Sequence, residues 1–420
     1  MADIMEPPAA ATSYGRNPAM TSNDRPWSDN PHHQRWLLGQ ADDLLAFFER
    51  RSMDPSGGFH TLDDRGDPTG DPLRELHSVT RMVHCFAIAH LMGRPGADRF
   101  IDHGMDFLWN VHRDGAHGGY FWSVEDGRPA DDRKQAYGHA FVLLAASSAQ
   151  VIGHPDARRL LDDMTSVIAE RFWESRHGAT AEEFARDWSP ISAYRGQNSN
   201  MHLTEALMAA FEATGERTYL DMAGGIAEHL IRDITPANGG YLPEHFDTDW
   251  NLDREYANGD HFRPYGTTPG HWVEWTRLCL LLWELGDRSA DWIPPAARGL
   301  FDRAVAEAWS TDGGFLYTLD WNGQPRLTNR LWWPCAEAIG AAYFLTAATG
   351  DGVYETWYRR IWDFVACDLI DREHGGWRTE PADQTNPLFT GKPDLYHALQ
   401  ACLIPLLPTD GTVTRGLLRR

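Results

Sequence analysis

The chain is poor in cysteine and contains no long hydrophobic run. Its cysteines stand singly, at Cys85, Cys279, Cys335, Cys367 and Cys402, so the sequence indicates neither a clustered zinc site nor a disulfide framework. We expect buried thiols in a reducing compartment. No apolar stretch approaches the roughly 18 residues that a membrane helix needs. Residues 1–26 lack the apolar segment of a signal peptide, which predicts a disordered leader and a cytoplasmic protein.

Basic residues are also scarce relative to acidic ones. The chain has 38 Lys and Arg against 60 Asp and Glu, a net charge of −22. This balance disfavours nucleic acid and anionic membranes, because a protein that binds them needs a basic face. Aromatic residues are plentiful, with 18 Trp, 13 Tyr and 18 Phe. Aromatic faces beside polar groups suit sugar rings, so we expect a small-molecule sugar as the partner. The oligomeric state stays open, with a homo-oligomer as one of the alternatives.

Two glycines followed by an aromatic residue occur five times, and a degraded copy occurs once. The copies begin at Gly57, Gly118, Gly178, Gly239, Gly313 and Gly375, so the successive steps are 61, 60, 61, 74 and 62 residues. Such regular spacing indicates an internal repeat. Between the glycines, apolar residues recur at the helical period. We predict inner helices over residues 77–93, 137–150, 197–214, 270–285, 333–349 and 394–407, and covering helices such as 101–112, 157–173 and 300–309.

Each predicted inner helix carries a polar residue at a similar distance from its glycine signal. These residues are Arg81, Tyr137, His202, His271, Glu337 and His397. An open stack of helix pairs would separate the first and last repeats, whereas a closed ring brings their side chains into one cavity. We therefore predict an all-α fold, an (α/α)6 barrel of six helix hairpins with short hairpin loops over residues 27–408, followed by a C-terminal tail at 409–420.

The one long step holds an insertion that leads into His271. Pro269 and Gly270 predict a helix start, which places His271 in the first turn, where the helix dipole disfavours a protonated imidazole. Glu274 follows on the same face and is expected to orient the ring or to bind a substrate hydroxyl. His271 and His202 each precede a glutamate by three residues, a spacing that also suits a metal. No compact zinc signature is present, and we predict neither a metal nor a cofactor.

Histidines, an arginine and carboxylates in an aromatic cavity favour proton transfer at a carbon next to a carbonyl group. Two other classes of function stay open. An inverting glycoside hydrolase needs two carboxylates on either side of a water molecule, for which Glu274 and Glu337 are the candidates. A sugar-binding barrel without catalysis is the other alternative.

Several motifs together resemble one known family. They lie at residues 57–60, 81–84, 136–141, 196–206, 263–266, 269–275 and 396–400. As a set they resemble the N-acylglucosamine 2-epimerase superfamily, and most closely its aldose–ketose isomerases, the mannose isomerase branch that includes sulfoquinovose isomerase. The resemblance covers roughly residues 35–408.

The resemblance implies a metal-independent (α/α)6 barrel that interconverts D-mannose and D-fructose through a cis-enediol, with D-lyxose and D-xylulose as a lesser pair. It implies that His271 and His397 are the acid and base. The implied substrate-binding residues are Arg81, Tyr137, Asn198, His202, Glu274, Trp333 and Glu337. A sugar 2-epimerase of the mannose/glucose or cellobiose type and a sulfoquinovose isomerase stay open as alternatives, as does the order in which the two histidines act.

Overall fold

The computed structural model describes residues 25–420, so nearly all of the predicted leader lies outside the described residues. The helices are α1 Pro31–Glu49, α2 Leu76–Leu91, α3 Ala97–Phe107, α4 Ala136–Val151, α5 Ala157–Val167, α6 Gln197–Thr214, α7 Arg217–Ala227, the single turn α8 Thr235–Ala237, α9 Pro269–Leu285, α10 Ile293–Glu307, α11 Trp332–Thr349, α12 Gly352–Phe364, α13 Leu395–Leu403 and α14 Val413–Leu418. None of these helices is both long enough and apolar enough to cross a membrane.

Helices α2, α4, α6, α9, α11 and α13 form an inner ring, and each packs against the next. The ring closes because α13 also packs against α2. Helices α3, α5, α7, α10 and α12 each cover an inner helix from outside, and α1 covers α13. The predicted (α/α)6 barrel is therefore confirmed. Inner helices such as α11 are buried on almost every face, as expected for helices that are apolar around most of their circumference.

The glycine pairs form the turns between outer and inner helices. All ten glycines of the five pairs have positive φ, for example 74° at Gly118 and 67° at Gly119. Residues with a side chain adopt this region rarely, which explains the repeated glycines. The aromatic residue that follows is buried in four of the five pairs, as at Tyr120 and Phe315. Because each turn leads into an inner helix, all of them lie at the end of the barrel where the inner helices begin.

Four outer helices continue into π-helical turns, at Leu108–His112, Ile168–Phe172, Glu228–Ile234 and Val365–Leu369. The last of these turns contains Cys367, which was expected to be buried like the other cysteines. Cys367 is exposed, because it lies between Val365 and Leu369, the two positions of the turn that face inward. The other four cysteines are buried as expected.

Short antiparallel strands connect the hairpin loops. They are β1 Leu73–Glu75, β2 Ser123–Glu125, β3 Arg128–Asp131, β4 Lys134–Gln135, β5 Trp173–Glu174, β6 Ala179–Thr180, β7 Glu183–Phe184, β8 Arg195–Gly196, β9 His245–Phe246, β10 Leu316–Leu319 and β11 Pro325–Arg330. The pairing of β8 with β9 matters for the site, because it sets Gly196 opposite His245. Gln197 follows Gly196 in the chain, and Glu244 precedes His245. The backbone N–H of Gln197 donates to the backbone carbonyl of Glu244 at 3.1 Å.

Residues 409–420, predicted as a tail, contain the helix α14. It packs against α2 and α4, with Val413 and Thr414 buried. The backbone N–H of Thr412 donates to Glu212, near the C-terminal end of α6. The segment therefore covers the end of the barrel opposite the glycine turns.

Candidate active site

The first two turns of the inner helices surround a cavity of about 120 Å³. Eight of the nine predicted site residues line it: Arg81, Tyr137, Asn198, His202, His271, Glu274, Trp333 and His397. The ninth, Glu337, lies behind His397. The cavity adjoins an outer chamber of about 400 Å³, and the two share His77, Tyr137, Asn198 and Phe262. Phe262 comes from the insertion predicted between the fourth and fifth glycine signals.

His397 is held by a carboxylate from the neighbouring inner helix. Asp394 caps α13 by accepting from the backbone N–H of Tyr396, which fixes the first turn that carries His397. The Nδ1 atom of His397 lies 2.8 Å from Glu337 Oε1, and Arg277 Nε donates to Glu337 Oε2 at 2.7 Å. Because an ionised carboxylate only accepts, Nδ1 is the donor in this pair. The Nε2 atom of a neutral His397 is then an acceptor.

A buried network of charges supports Glu337. Burial alone would raise the pKa of Glu337, but the charge of Arg277 and the hydrogen bond from His397 lower it to about 2. Arg277 also donates to Glu205 at 3.4 Å, and the hydroxyl of Tyr396 donates to Glu205 as well. Both oxygens of Glu337 are thus engaged by protein groups, which suits a residue that positions His397.

The lowered pKa of Glu337 predicts a pH-dependent contribution to stability. A carboxylate whose pKa is lower in the folded state stabilises the fold above its unfolded pKa, near 4.5, and loses that contribution as the pH falls through about 2. We expect Glu337→Gln to melt below the wild type at pH 6, and the gap in Tm to shrink as the pH is lowered to about 3. Thermal melts across this range measure the gap.

A matched control for this experiment is Glu373→Gln, which changes a carboxylate that is 78% exposed. Its Tm should follow that of the wild type across the same range. A gap for Glu337→Gln that stays constant from pH 6 to 3 would contradict the assignment of a strongly lowered pKa.

His271 has a carboxylate partner too, but not the predicted one. Its Nδ1 atom lies 3.0 Å from Glu244 Oε2 and 2.8 Å from Gln197 Nε2. Glu274, expected either to orient this ring or to bind a substrate hydroxyl, lies beside His202. Burial alone would raise the pKa of Glu244. The charge interaction and hydrogen bond with His271, together with a hydrogen bond from Gln197, hold this pKa below its usual value. Pro269, in the first turn of α9, places His271 as the sequence predicted.

Arg81 forms the cationic wall of the cavity. It donates to Asp394 at 2.6 Å and to the Tyr137 hydroxyl at 2.9 Å, and its guanidinium carbon lies 4.4 Å from the centre of the Phe141 ring. Burial alone would lower the pKa of Arg81, but Asp394 and Tyr137 raise it. Arg81 therefore stays charged, and it is placed to stabilise negative charge on a bound oxygen atom.

Glu274 and His202 form a buried pair in which the pKa of each group is shifted toward its neutral form. Their closest atoms, Glu274 Oε1 and His202 Nδ1, are 3.7 Å apart. Burial and the negative charge of Glu337 raise the pKa of Glu274 well above its usual value. Burial and the charge of Arg81 lower the pKa of His202 well below its own. Both of the two closest atoms are buried, and neither has a hydrogen-bond partner.

Trp333 lies between the two histidine pairs. The centre of its ring is 5.1 Å from that of His271 and 6.0 Å from that of His397. Trp332 and Phe389 continue this apolar wall. An aromatic surface of this kind packs against the C–H face of a sugar while the polar groups contact its hydroxyls.

One group within residues 25–420 has the spacing of metal ligands: His202, Glu205 and Glu274, whose ligand atoms lie within 4.8 Å of one another. Glu205 already accepts from Tyr396 and Arg277. A metal here would also lie close to the guanidinium group of Arg277, whose positive charge opposes its binding. These residues therefore fit a metal poorly, and metal independence stays a prediction.

Sequence reasoning missed the residues that hold the histidines: Gln197, Glu205, Glu244, Arg277 and Asp394. A signal for Glu244 was present in the repeats. Glu244 stands three residues after the aromatic position of its glycine signal. Glu182 and Glu380 occupy the same position in two other repeats.

A closed ring of helix pairs around two carboxylate-bound histidines is the arrangement of an (α/α)6-barrel sugar isomerase. The N-acylglucosamine 2-epimerase (GlcNAc 2-epimerase) family model matches residues 57–401. The chain belongs to this family.

Named relatives agree with this placement. The chain is 43% identical to a D-mannose isomerase of Pseudomonas cannabina pv. alisalensis over 394 residues, which cover 91% of this chain and 94% of that protein. A crystal structure of D-mannose isomerase superposes with a TM-score of 0.83 at 34% identity, covering 89% of this chain and 97% of that one. A cellobiose 2-epimerase of Ruminococcus albus is 26% identical over 371 residues, 81% of this chain and 88% of that protein.

Proposed function

We propose that the protein interconverts D-mannose and D-fructose through a cis-enediol, with His271 and His397 as the acid and base. The observation that supports this best is the presence of two histidine–glutamate pairs on one small cavity that also contains Arg81. The D-mannose isomerases among the relatives support the choice of sugar. D-lyxose and D-xylulose are a secondary pair.

The reaction starts from open-chain mannose in the cavity. A base removes the proton from C2, and the electron pair forms the C1–C2 double bond while O1 takes up a proton. The same proton or one from solvent is then added to C1, and O2 loses its proton to become the ketone oxygen of fructose. A positioned base contributes about 10² to 10⁴ in rate. Arg81 stabilises the negative charge on the oxygen atoms during this sequence.

The other residues of the cavity bind the sugar. Tyr137, Asn198, His202 and Glu274 contact hydroxyl groups, and Trp333 packs against the ring carbons. Glu337 acts through His397. The reaction needs neither a metal nor a cofactor. We also propose a cytoplasmic location, consistent with five cysteines that are all free thiols.

The hydrolase alternative has less support. Its two candidate carboxylates were Glu274 and Glu337, but Glu337 does not line the cavity and both of its oxygens are engaged. The 2-epimerase alternative differs from the isomerase only in where the proton returns, so the product of the reaction decides between them.

The test is incubation of the full-length protein with D-mannose in D₂O, followed by NMR of the products. We expect fructose, with deuterium at C1 or with the C2 hydrogen transferred to C1, and the same rate after dialysis against a chelator. Glucose as the main product would replace the isomerase with a 2-epimerase. A loss of activity that is restored by one divalent metal would overturn metal independence.

A further inference from the structure

His77 lines the catalytic cavity, but the proposed reaction steps do not use it. It lies in the first turn of α2, one turn before Arg81, and is 7% exposed. Its imidazole stacks on Trp122, with the ring centres 5.3 Å apart and the ring planes at an angle of 17°. This stacking fixes the plane of the imidazole, so the polar edge of the ring has a defined direction.

Within residues 25–420, the polar atoms of His77 have weak partners or none. Nδ1 is buried and has no hydrogen-bond partner. Nε2 lies 3.4 Å from the hydroxyl oxygen of Ser78, which is long for a hydrogen bond, and 3.8 Å from Glu75 Oε2. Glu75 lines the outer chamber, so Nε2 points toward the boundary between that chamber and the cavity. Burial lowers the pKa of His77, which favours the neutral ring.

The order of the helices around the ring separates His77 from the centre of the reaction. Three consecutive inner helices, α9, α11 and α13, carry the two histidines proposed for catalysis and the Trp333 ring between them. The other half of the ring, α2, α4 and α6, carries His77, Tyr137 and Asn198, which also line the outer chamber. Because C1 and C2 react between the two histidines, the far end of an open-chain hexose extends toward this second half.

We propose that His77 binds the C6 hydroxyl group of the sugar and thereby favours a hexose over a pentose. This inference rests on the proposed function, because it uses the position of C1 and C2 between the two histidines. The C6 hydroxyl is the oxygen farthest from those carbons, and the neighbouring Tyr137 hydroxyl is already engaged by Arg81 at 2.9 Å. A sugar hydroxyl both donates and accepts, so it fits either tautomer of a neutral imidazole.

The test compares three sugars in the wild type and in His77→Phe. D-Mannose has the C6 hydroxyl, 6-deoxy-D-mannose has a methyl group in that place, and D-lyxose lacks C6 altogether. Phenylalanine can still stack on Trp122, but it cannot form the hydrogen bond. A typical hydrogen bond contributes up to about tenfold, so we expect His77→Phe to lower kcat/KM by about tenfold for mannose and by less than about threefold for the other two sugars.

The split between KM and kcat gives a second readout. C6 does not change during the reaction, so the contact is present in both the bound substrate and the transition state, and its loss should raise KM while kcat changes less than about twofold. His77→Gln can still donate and accept, so it should retain part of the preference for mannose over 6-deoxy-D-mannose. An equal loss for all three sugars in His77→Phe would overturn the inference, and so would an unchanged KM for mannose.

The matched control is His229→Phe, which should leave the rates for all three sugars unchanged. His229 also packs against a tryptophan, with its ring centre 4.9 Å from that of Trp250, and its Nε2 has no partner, but it lies in the outer turn Glu228–Ile234. If His77→Phe does not fold, equal kcat/KM values for mannose and 6-deoxy-D-mannose in the wild type would overturn the inference. If the wild type makes no fructose from mannose, the proposed function fails, while equilibrium binding of the same sugars to the wild type and to His77→Gln still decides whether His77 recognises the C6 hydroxyl.

Discussion

Replacement of His397 by glutamine is expected to lower kcat for mannose isomerisation by about 10² to 10⁴, the usual contribution of a general base. The side chain could no longer accept or donate a proton as an imidazole does, although its amide still fills part of the same space. Binding depends on the other cavity residues, so KM should change much less than kcat. Initial rates of fructose formation measure both constants.

A surface histidine provides the control for this experiment. His90 is 41% exposed and pairs with Asp98 on the outside of the barrel, so His90→Gln should keep wild-type rates. A His397→Gln enzyme that folds normally and retains more than a third of wild-type kcat would show that His397 is not one of the two acid–base residues. His271→Ala is likewise expected to lose most turnover.

Replacement of Arg277 by leucine is expected to have the largest effect on stability. Arg277 is 3% exposed and is the cation between Glu205 and Glu337, which are themselves buried. Removing one partner of a buried ion pair typically costs about 3–5 kcal/mol, because the remaining charge stays buried without compensation. We expect a large drop in Tm, and lower kcat in the folded fraction, because Glu337 would no longer hold His397 in place.

The matched control is Arg298→Leu on the outer helix α10. Arg298 is 55% exposed and pairs with Asp302 one turn away, so its removal should cost less than about 1 kcal/mol. Addition of Glu337→Gln to Arg277→Leu should recover part of the lost stability but none of the lost activity. A Tm for Arg277→Leu close to that of Arg298→Leu would contradict the role of the buried network.

The repeat of the sequence predicted the fold because its signals are local. A glycine pair specifies its own turn through positive φ, and the helical period specifies which face of the following helix is buried. The prediction for residues 197–214 matches α6, and the ring follows from six such units. The same helical phase explains why Arg81, His202, His271 and His397 were correctly expected to share one space.

The residues that hold the histidines were harder to predict because their contacts are distant in sequence. Glu244 reaches His271 through the pairing of β8 with β9, which no helical pattern reveals. Orienting His271 was one of the two roles expected of Glu274, because it lies on the same face of the helix, but the imidazole contacts a carboxylate from the preceding loop instead. The roles assigned to the cavity residues stay predictions until the variants are measured.

The sixth helix pair combines α1 with α13, so the first and the last helices of the barrel pack against each other. Phe47 of α1 lies against the glycine turn at Gly375 and Gly376, and α13 follows that turn. During synthesis on a ribosome, α1 emerges first and has no partner helix until residues 395–403 have been made. The catalytic cavity thus cannot assemble step by step from the N-terminus. A nascent chain would hold five helix pairs and an unpaired α1 until α13 docks, and activity would appear only after that step.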